Sequence, residues 1–158
     1  MSLEAWHDAG LIATHETSRQ EISDLLAIVD TDLKDATIPE LSAERKLSCC
    51  YNAMLTAARA ALRASGYRVS KSNQSHHYYA IQSLRHTVEL DADTVFRIEA
   101  VQKKRNVAEY VRIGEVSKSA VAEILALARD VSQCVRKWLI ENHPDLNPGD
   151  WLGTVPVP

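Results

Sequence analysis

Apolar positions recur every three to four residues through most of this chain, and polar residues break the runs where helices would end. Ser18, with Glu21 three residues later, has the form of a capping box, and behind it Ile22, Leu25, Leu26, Val29 and Leu33 predict a first helix. Thr37 and Glu40 repeat that signature with Pro39 between them, so a second helix is expected from there, its face held by Leu47, Cys50, Tyr51, Met54, Leu55, Ala58, Ala61 and Leu62. Gly66 is placed to end it as a left-handed cap. The stretch "YRVSKSNQS" lacks periodicity and reads as a loop. A shorter helix follows from about Ser75 with Tyr78, Ile81, Leu84 and Val88, and Asp91 is placed to cap a fourth from about Ala92. Gly114 marks a break before a final stripe of Val116, Ala120, Ile124, Leu127, Ala128, Val131, Val135 and Trp138, ending near Asn142.

About five helices joined by short connections specify an all-α, up-and-down bundle. The organisation expected is an N-terminal segment over 1–17, the bundle over 18–142, and a tail over 143–158 that holds four of the five prolines, with Trp151 and Leu152 able to dock on a neighbouring surface. With 158 residues, 46% of them hydrophobic, such a domain buries roughly 68 to 70% of its unfolded surface. No disulfide or metal is then required for stability. The cysteines Cys49, Cys50 and Cys134 fall inside apolar helical patterns, as reduced core thiols do.

Charge narrows the function classes. A net charge of -3 argues against a protein that coats nucleic acid through bulk attraction, so any phosphate contact must be local. The start "MSLEAWHDAG" carries no basic region followed by an apolar run, and no stretch approaches membrane-spanning length, which places the protein in the cytoplasm without a membrane partner. Phosphate-loop, dinucleotide, hydrolase-elbow and zincin motifs are all missing. His76 and His77 lack companions at ligand spacing, and no metal or cofactor is expected.

The candidate chemistry lies in "KKRNVAEY", residues 103–110. At about 100° per residue, with Ile98 at 0°, Val95 falls near about 60°, Val101 near about 300° and Arg105 near about 340°. Arg105 therefore sits inside the apolar arc, and a guanidinium taken out of water there needs partners. Glu109, one turn on, is at the spacing of an i,i+4 pair that would let both snorkel out at the bundle edge. The alternative is that this face lines a cleft or dimer seam where Arg105 meets an anion, since its planar fork suits phosphate. Asn106 would add a directed amide, and Lys103 and Lys104 would raise the local potential. Tyr51 reads as core packing and Asn52 as a polar contact between helices.

"YNAMLTAARAALRASGYR", "HHYYAIQSLRHTV" and "KKRNVAEY" before a long last helix together resemble the HEPN (higher eukaryotes and prokaryotes nucleotide-binding) superfamily, over about Ser18 to Asn142. The resemblance implies a small helical bundle that dimerises, with the Arg-Asn helices of two subunits facing a shared cleft. Many members are metal-independent ribonucleases, often toxins or defence proteins, that use an arginine, four to six intervening residues and a histidine. Others are non-catalytic and partner a nucleotidyltransferase or bind nucleotide or RNA. Arg105 and Asn106 match the first half of that motif, but Tyr110, Val111 and Arg112 stand where its histidine would be. The sequence looks like an Arg-Asn-x-x-Asp/Glu-Tyr branch closed by Glu109 and Tyr110. A phenol titrates near about pH 10 and handles protons poorly at neutral pH, so Tyr110 counts against cleavage. His76, His77 or His86 would have to substitute.

Three readings follow. The first is a homodimeric module binding nucleotide or RNA phosphate through Arg105, Asn106, Glu109, Tyr110 and Lys104, within a toxin-antitoxin or nucleotidyltransferase-associated system. The second is a metal-independent endoribonuclease with Arg105, Asn106 and Tyr110 as candidate catalytic residues. The third is a structural adaptor or antitoxin-like partner in which Arg105 and Glu109 only hold helices together.

Overall fold

The computed structural model describes residues 2–110 and 116–147, and for 107–110 the backbone alone. The chain is an all-α bundle: α1 (Leu3–Asp8), α2 (Arg19–Asp35), α3 (Ala43–Ala64), α4 (His76–Gln82), α5 (Ala92–Tyr110) and α6 (Lys118–Asn142). Two short strands, β1 (Ile12–Thr14) and β2 (Tyr67–Val69), pair antiparallel with Ile12 opposite Val69 and Thr14 opposite Tyr67. Single 3-10 turns follow α4 (Ser83–Arg85) and α6 (Pro144–Leu146).

Helix α3 is the axis of the fold. Ala53, Ala57, Ala58, Ala60 and Ala61 are fully buried, and side chains this small let α2, α5 and α6 approach closely. Around them one continuous core joins Ile22, Leu26 and Val29 of α2, Leu47, Tyr51 and Met54 of α3, Ile81 of α4, Val95 and Ile98 of α5, and Leu127, Val131 and Leu139 of α6. The stripes read from the sequence for α2, α3 and α6 are these buried faces, whereas the expected helix from Ser75 ends at Gln82, before Leu84 and Val88, and its Tyr78 is exposed.

Capping follows local chemistry, with one correction. The Ser18 and Asp91 side chains accept from the amides of Glu21 and Thr94, as expected. Gly66 has φ +93°, the left-handed conformation that ends α3 at little cost only for glycine. The second long helix does not start at Thr37 and Pro39, however. The Thr37 hydroxyl donates to the Lys34 carbonyl at the end of α2, and Ser42 caps α3 instead, accepting from the Arg45 amide at 3.2 Å. Two capping signatures stand within six residues there, and the turn closed by Leu41 N–H on the Ile38 carbonyl puts the second in position.

The "YRVSKSNQS" stretch is also more ordered than expected, because residues 67–69 find a strand partner in residues 12–14, over fifty positions away. Trp6 and Ile12 complete this corner, packing on Leu62 with Tyr67, Val69 and Tyr79 around them. Gly114, Trp151 and Leu152 lie outside the described residues.

One buried charge ties the bundle together. Arg136 of α6, 4% exposed, donates to the Leu26 carbonyl and to the Asp30 carboxylate on α2. Removing Asp30 would leave a buried guanidinium with less compensation, although Asp30 is itself half exposed and partly screened. Asp30→Ala is expected to cost about 2 kcal/mol and to lower the thermal midpoint by about 4–8 °C, read by calorimetry.

Candidate functional site

The packing of α5 across α3 decides where Arg105 goes. Its guanidinium carbon lies 5.4 Å from the centre of the Tyr51 ring, within cation–π range, and the side chain is half-buried. The face of a buried aromatic ring thus offsets the desolvation that the apolar arc imposes on Arg105. On the same ring, His77 at the start of α4 packs with its ring centre 5.9 Å away and tilted by 47°. Three helices therefore converge on one phenol.

Tyr51 is fully buried, and its hydroxyl has no hydrogen-bond partner among the described residues. Burial pushes its pKa up to about 12, with Glu99 adding to the rise while Arg105 and Arg59 act against it. The phenol stays protonated at neutral pH. Arg59, two turns further along α3, is half-buried as well. Burial and the neighbouring Arg63 hold its pKa below the ordinary value, with the Tyr51 side chain countering them. Burial first, and then the charges of Arg59, Arg105 and His76, keep the His77 imidazole below the usual histidine range. The site is a positive field around a protonated phenol and a neutral imidazole, an arrangement suited to an anion.

An unpartnered buried hydroxyl costs stability when nothing binds it. Tyr51→Phe keeps the ring under Arg105 and removes that cost, so it is expected to raise stability by about 1 kcal/mol, a gain of roughly 2–4 °C in thermal midpoint for a chain of this size. A scanning fluorimetry comparison with wild type measures it.

Of the residues singled out in the sequence, Arg105 is on the site, whereas Asn106, Lys103 and Lys104 are exposed on the outer side of α5. Glu109 and Tyr110 belong to α5, but their side chains lie outside the described residues, as do Val111 and Arg112. Among the histidines, His77 reaches the site. His86 instead packs edge-on against Trp6 at 5.0 Å, on the N-terminal corner. Asn52 is exposed and bridges no helices, since the position next to Tyr51 turns about 100° away from the core.

Sequence reasoning missed the role of Tyr51 and overlooked Arg59. The one available signal was that Arg59 interrupts the small-residue run "TAARAAL" on the helix at the centre of the core. Cys50 is fully buried, and burial raises its thiol to about 12, as for an inert core residue, while Cys49 and Cys134 are half-buried. Cys49 comes close to Asp32 and Asp35, with one ligand atom from each within 4.8 Å of the others. Burial, then the nearby carboxylates, raise the pKa of that thiol.

No protein-family model matches this chain, and no curated protein matches its sequence. No helix among the described residues is long and apolar enough to cross a membrane.

Proposed function

We propose that the protein is a homodimeric, HEPN-like module that binds a phosphate of nucleotide or RNA through Arg105. The observation that carries this reading is the Arg105 guanidinium seated on the Tyr51 ring, beside an unsatisfied phenol O–H and with Arg59 and His77 around it. A phosphate drawn to Arg105 meets a planar donor fork seated over the Tyr51 ring, with the phenol itself buried beneath it. Asn106, the next exposed residue of α5, would extend the recognition outward, Lys104 adds charge from the neighbouring face of the helix towards α6, and Glu109 and Tyr110 close the motif. The dimer is proposed from the resemblance alone, because Phe96, 66% exposed, lies about 180° around α5 from Arg105 and marks no shared Arg105 cleft. The setting proposed is a toxin-antitoxin or nucleotidyltransferase-associated system in the cytoplasm, with such a protein as partner.

A second reading, a metal-independent endoribonuclease, is favoured by one observation. The motif histidine is missing from its usual place on α5, yet His77 arrives from α4 against the Tyr51 ring, and its depressed pKa keeps the imidazole neutral and able to take a proton. Arg105 would then stabilise charge at the phosphate under attack.

End-labelled cellular RNA in excess chelator, incubated with wild type and with His77→Ala and resolved on a denaturing gel, separates the two readings. Intact RNA in every lane, together with saturable binding of UMP by calorimetry, is the result expected of the binding module. Cleavage by wild type that is lost in His77→Ala would make the protein a ribonuclease. Absence of both cleavage and nucleotide binding would leave a structural adaptor in which Arg105 only joins α5 to α3.

A further inference from the structure

Beyond the Arg105 site the molecule carries a second group of cations. Arg59 and Arg63 of α3, Arg68 of β2, Lys71 just after it and His76 of α4 line an open groove of about 240 Å³, floored by Leu62 and Val69. No carboxylate lines it. Glu21 is near, at 3.4 Å from Arg63, but it is held by three donors. His15 and Thr17 each reach one of its oxygens at 2.7 Å, and Arg63 takes the other. Burial alone would raise the Glu21 carboxyl, but these hydrogen bonds and the charges of His15 and Arg63 hold it below the usual range. Arg59, Arg68 and Lys71 make no ion pair among the described residues.

Four permanent cations share one face of a chain with net charge -3, and burial first, then the charge of Arg63, lower the pKa of Arg59. The pairing of β1 with β2 holds Arg68 opposite Ala13, so the crowding is built into the fold. Such an arrangement is relieved by an anion.

The groove is continuous with the proposed site. His76 lines both it and a neighbouring depression of about 450 Å³ formed by Gln74, Ser75, His76, His77, Tyr78 and Gln102. His77 leads from there to Tyr51 and Arg105. Tyr78, 49% exposed, presents an aromatic ring in that depression. Along α3 the path from Tyr51 to Arg63 covers twelve residues, or about 18 Å. That is longer than the phosphate group of a mononucleotide. Cations at both ends of a path, with an aromatic ring and amide side chains between them, are the elements that bind single-stranded nucleic acid without sequence preference.

We propose that this path, from Arg105 past Tyr78 and His76 to the groove of Arg59, Arg63, Arg68 and Lys71, binds the backbone of a single-stranded polynucleotide, with one base stacked on Tyr78. The inference rests on the phosphate-binding reading above and extends it from one phosphate to a strand.

The test uses fluorescence anisotropy of the full chain with a labelled twelve-residue oligouridylate over a series of NaCl concentrations, alongside UMP by calorimetry and unlabelled inorganic polyphosphate as competitor. Arg68→Gln combined with Lys71→Gln is expected to flatten the slope of log affinity against log salt by about 1.4, two phosphate contacts at about 0.7 each, while leaving UMP binding unchanged. Tyr78→Ala is expected to weaken the oligonucleotide roughly 5- to 100-fold without altering polyphosphate competition. Lys71 and Tyr78 are exposed, so Lys71→Gln and Tyr78→Ala alone keep the test independent of any folding defect. An unchanged salt slope in the double variant would overturn the proposal. Polyphosphate binding as tightly as the oligonucleotide, with Tyr78→Ala silent, would replace the strand with a simple polyanion. Tight UMP binding with no oligonucleotide binding would overturn the strand and spare the Arg105 site, whereas failure of both ligands would remove the two together.

Discussion

Arg105→Ala is expected to weaken UMP binding by roughly 10- to 100-fold while leaving the fold intact. The magnitude follows from the chemistry: a hydrogen bond to a charged group is worth about 1.5–3 kcal/mol, and about 1.4 kcal/mol is one decade of affinity. The fold should survive because Arg105 is only half-buried and its cation–π contact with Tyr51 contributes about 1 kcal/mol. Arg105→Lys should recover part of the loss, because it restores charge but not the planar fork. The pH dependence has a definite sign. His77 is neutral in the free protein because burial and the charges of Arg59, Arg105 and His76 depress its pKa. A bound phosphate favours its protonated form, so the affinity of wild type relative to His77→Ala should rise as pH falls towards the depressed pKa of His77. Calorimetric titration at several pH values measures both effects. Wild-type affinity in Arg105→Ala would place the anion elsewhere on the protein.

The largest stability effect is expected at Ile98. This side chain is fully buried where α5 crosses α3, two turns before Arg105. Truncation removes the transfer energy of its outer carbons and leaves a cavity that a close-packed interior closes only in part, so Ile98→Ala should cost about 3 kcal/mol. The thermal midpoint should fall by roughly 6–12 °C, with a matching drop in urea midpoint at constant slope. The same substitution loosens the seat of α5, and UMP affinity should fall as well, although Ile98 touches no proposed ligand. Lost stability with unchanged binding would show that Arg105 is held by Tyr51 alone. The exposed neighbour Phe96 provides the control: Phe96→Ala lies on the same helix but removes a side chain that is mostly in solvent.

Much of the fold was legible because it is local. Stripes at i, i+3 and i+4 in α2, α3 and α6 became the buried faces, and the Ser18, Asp91 and Gly66 caps are short-range hydrogen-bonding or backbone requirements. What failed also has a physical reason. Thr37 carries a capping signature, but the turn over residues 38–41 takes the chain past it and α3 starts from Ser42. The strand at Tyr67–Val69 depends on a partner at Ile12–Thr14 that no window of a few turns contains. Arg136 lies outside the apolar stripe read for α6 and is buried where α2 supplies Asp30 and the Leu26 carbonyl.

The candidate site divides in the same way. By itself the sequence determined the all-α bundle, the caps at Ser18, Asp91 and Gly66 and the position of Arg105 within an apolar arc, since each of these depends on residues within a turn or two along one helix. Only the tertiary structure decided what Arg105 meets. It set the Tyr51 ring beneath the guanidinium, separated His77 from His86, left the phenol without an acceptor, and gathered Arg59, Arg63, Arg68 and Lys71 on one groove. These are meetings between side chains on different elements. They follow from how α4, α5 and the two strands pack around α3, and the angle and register of that packing come from the shapes of many side chains together, which no single stretch of sequence encodes.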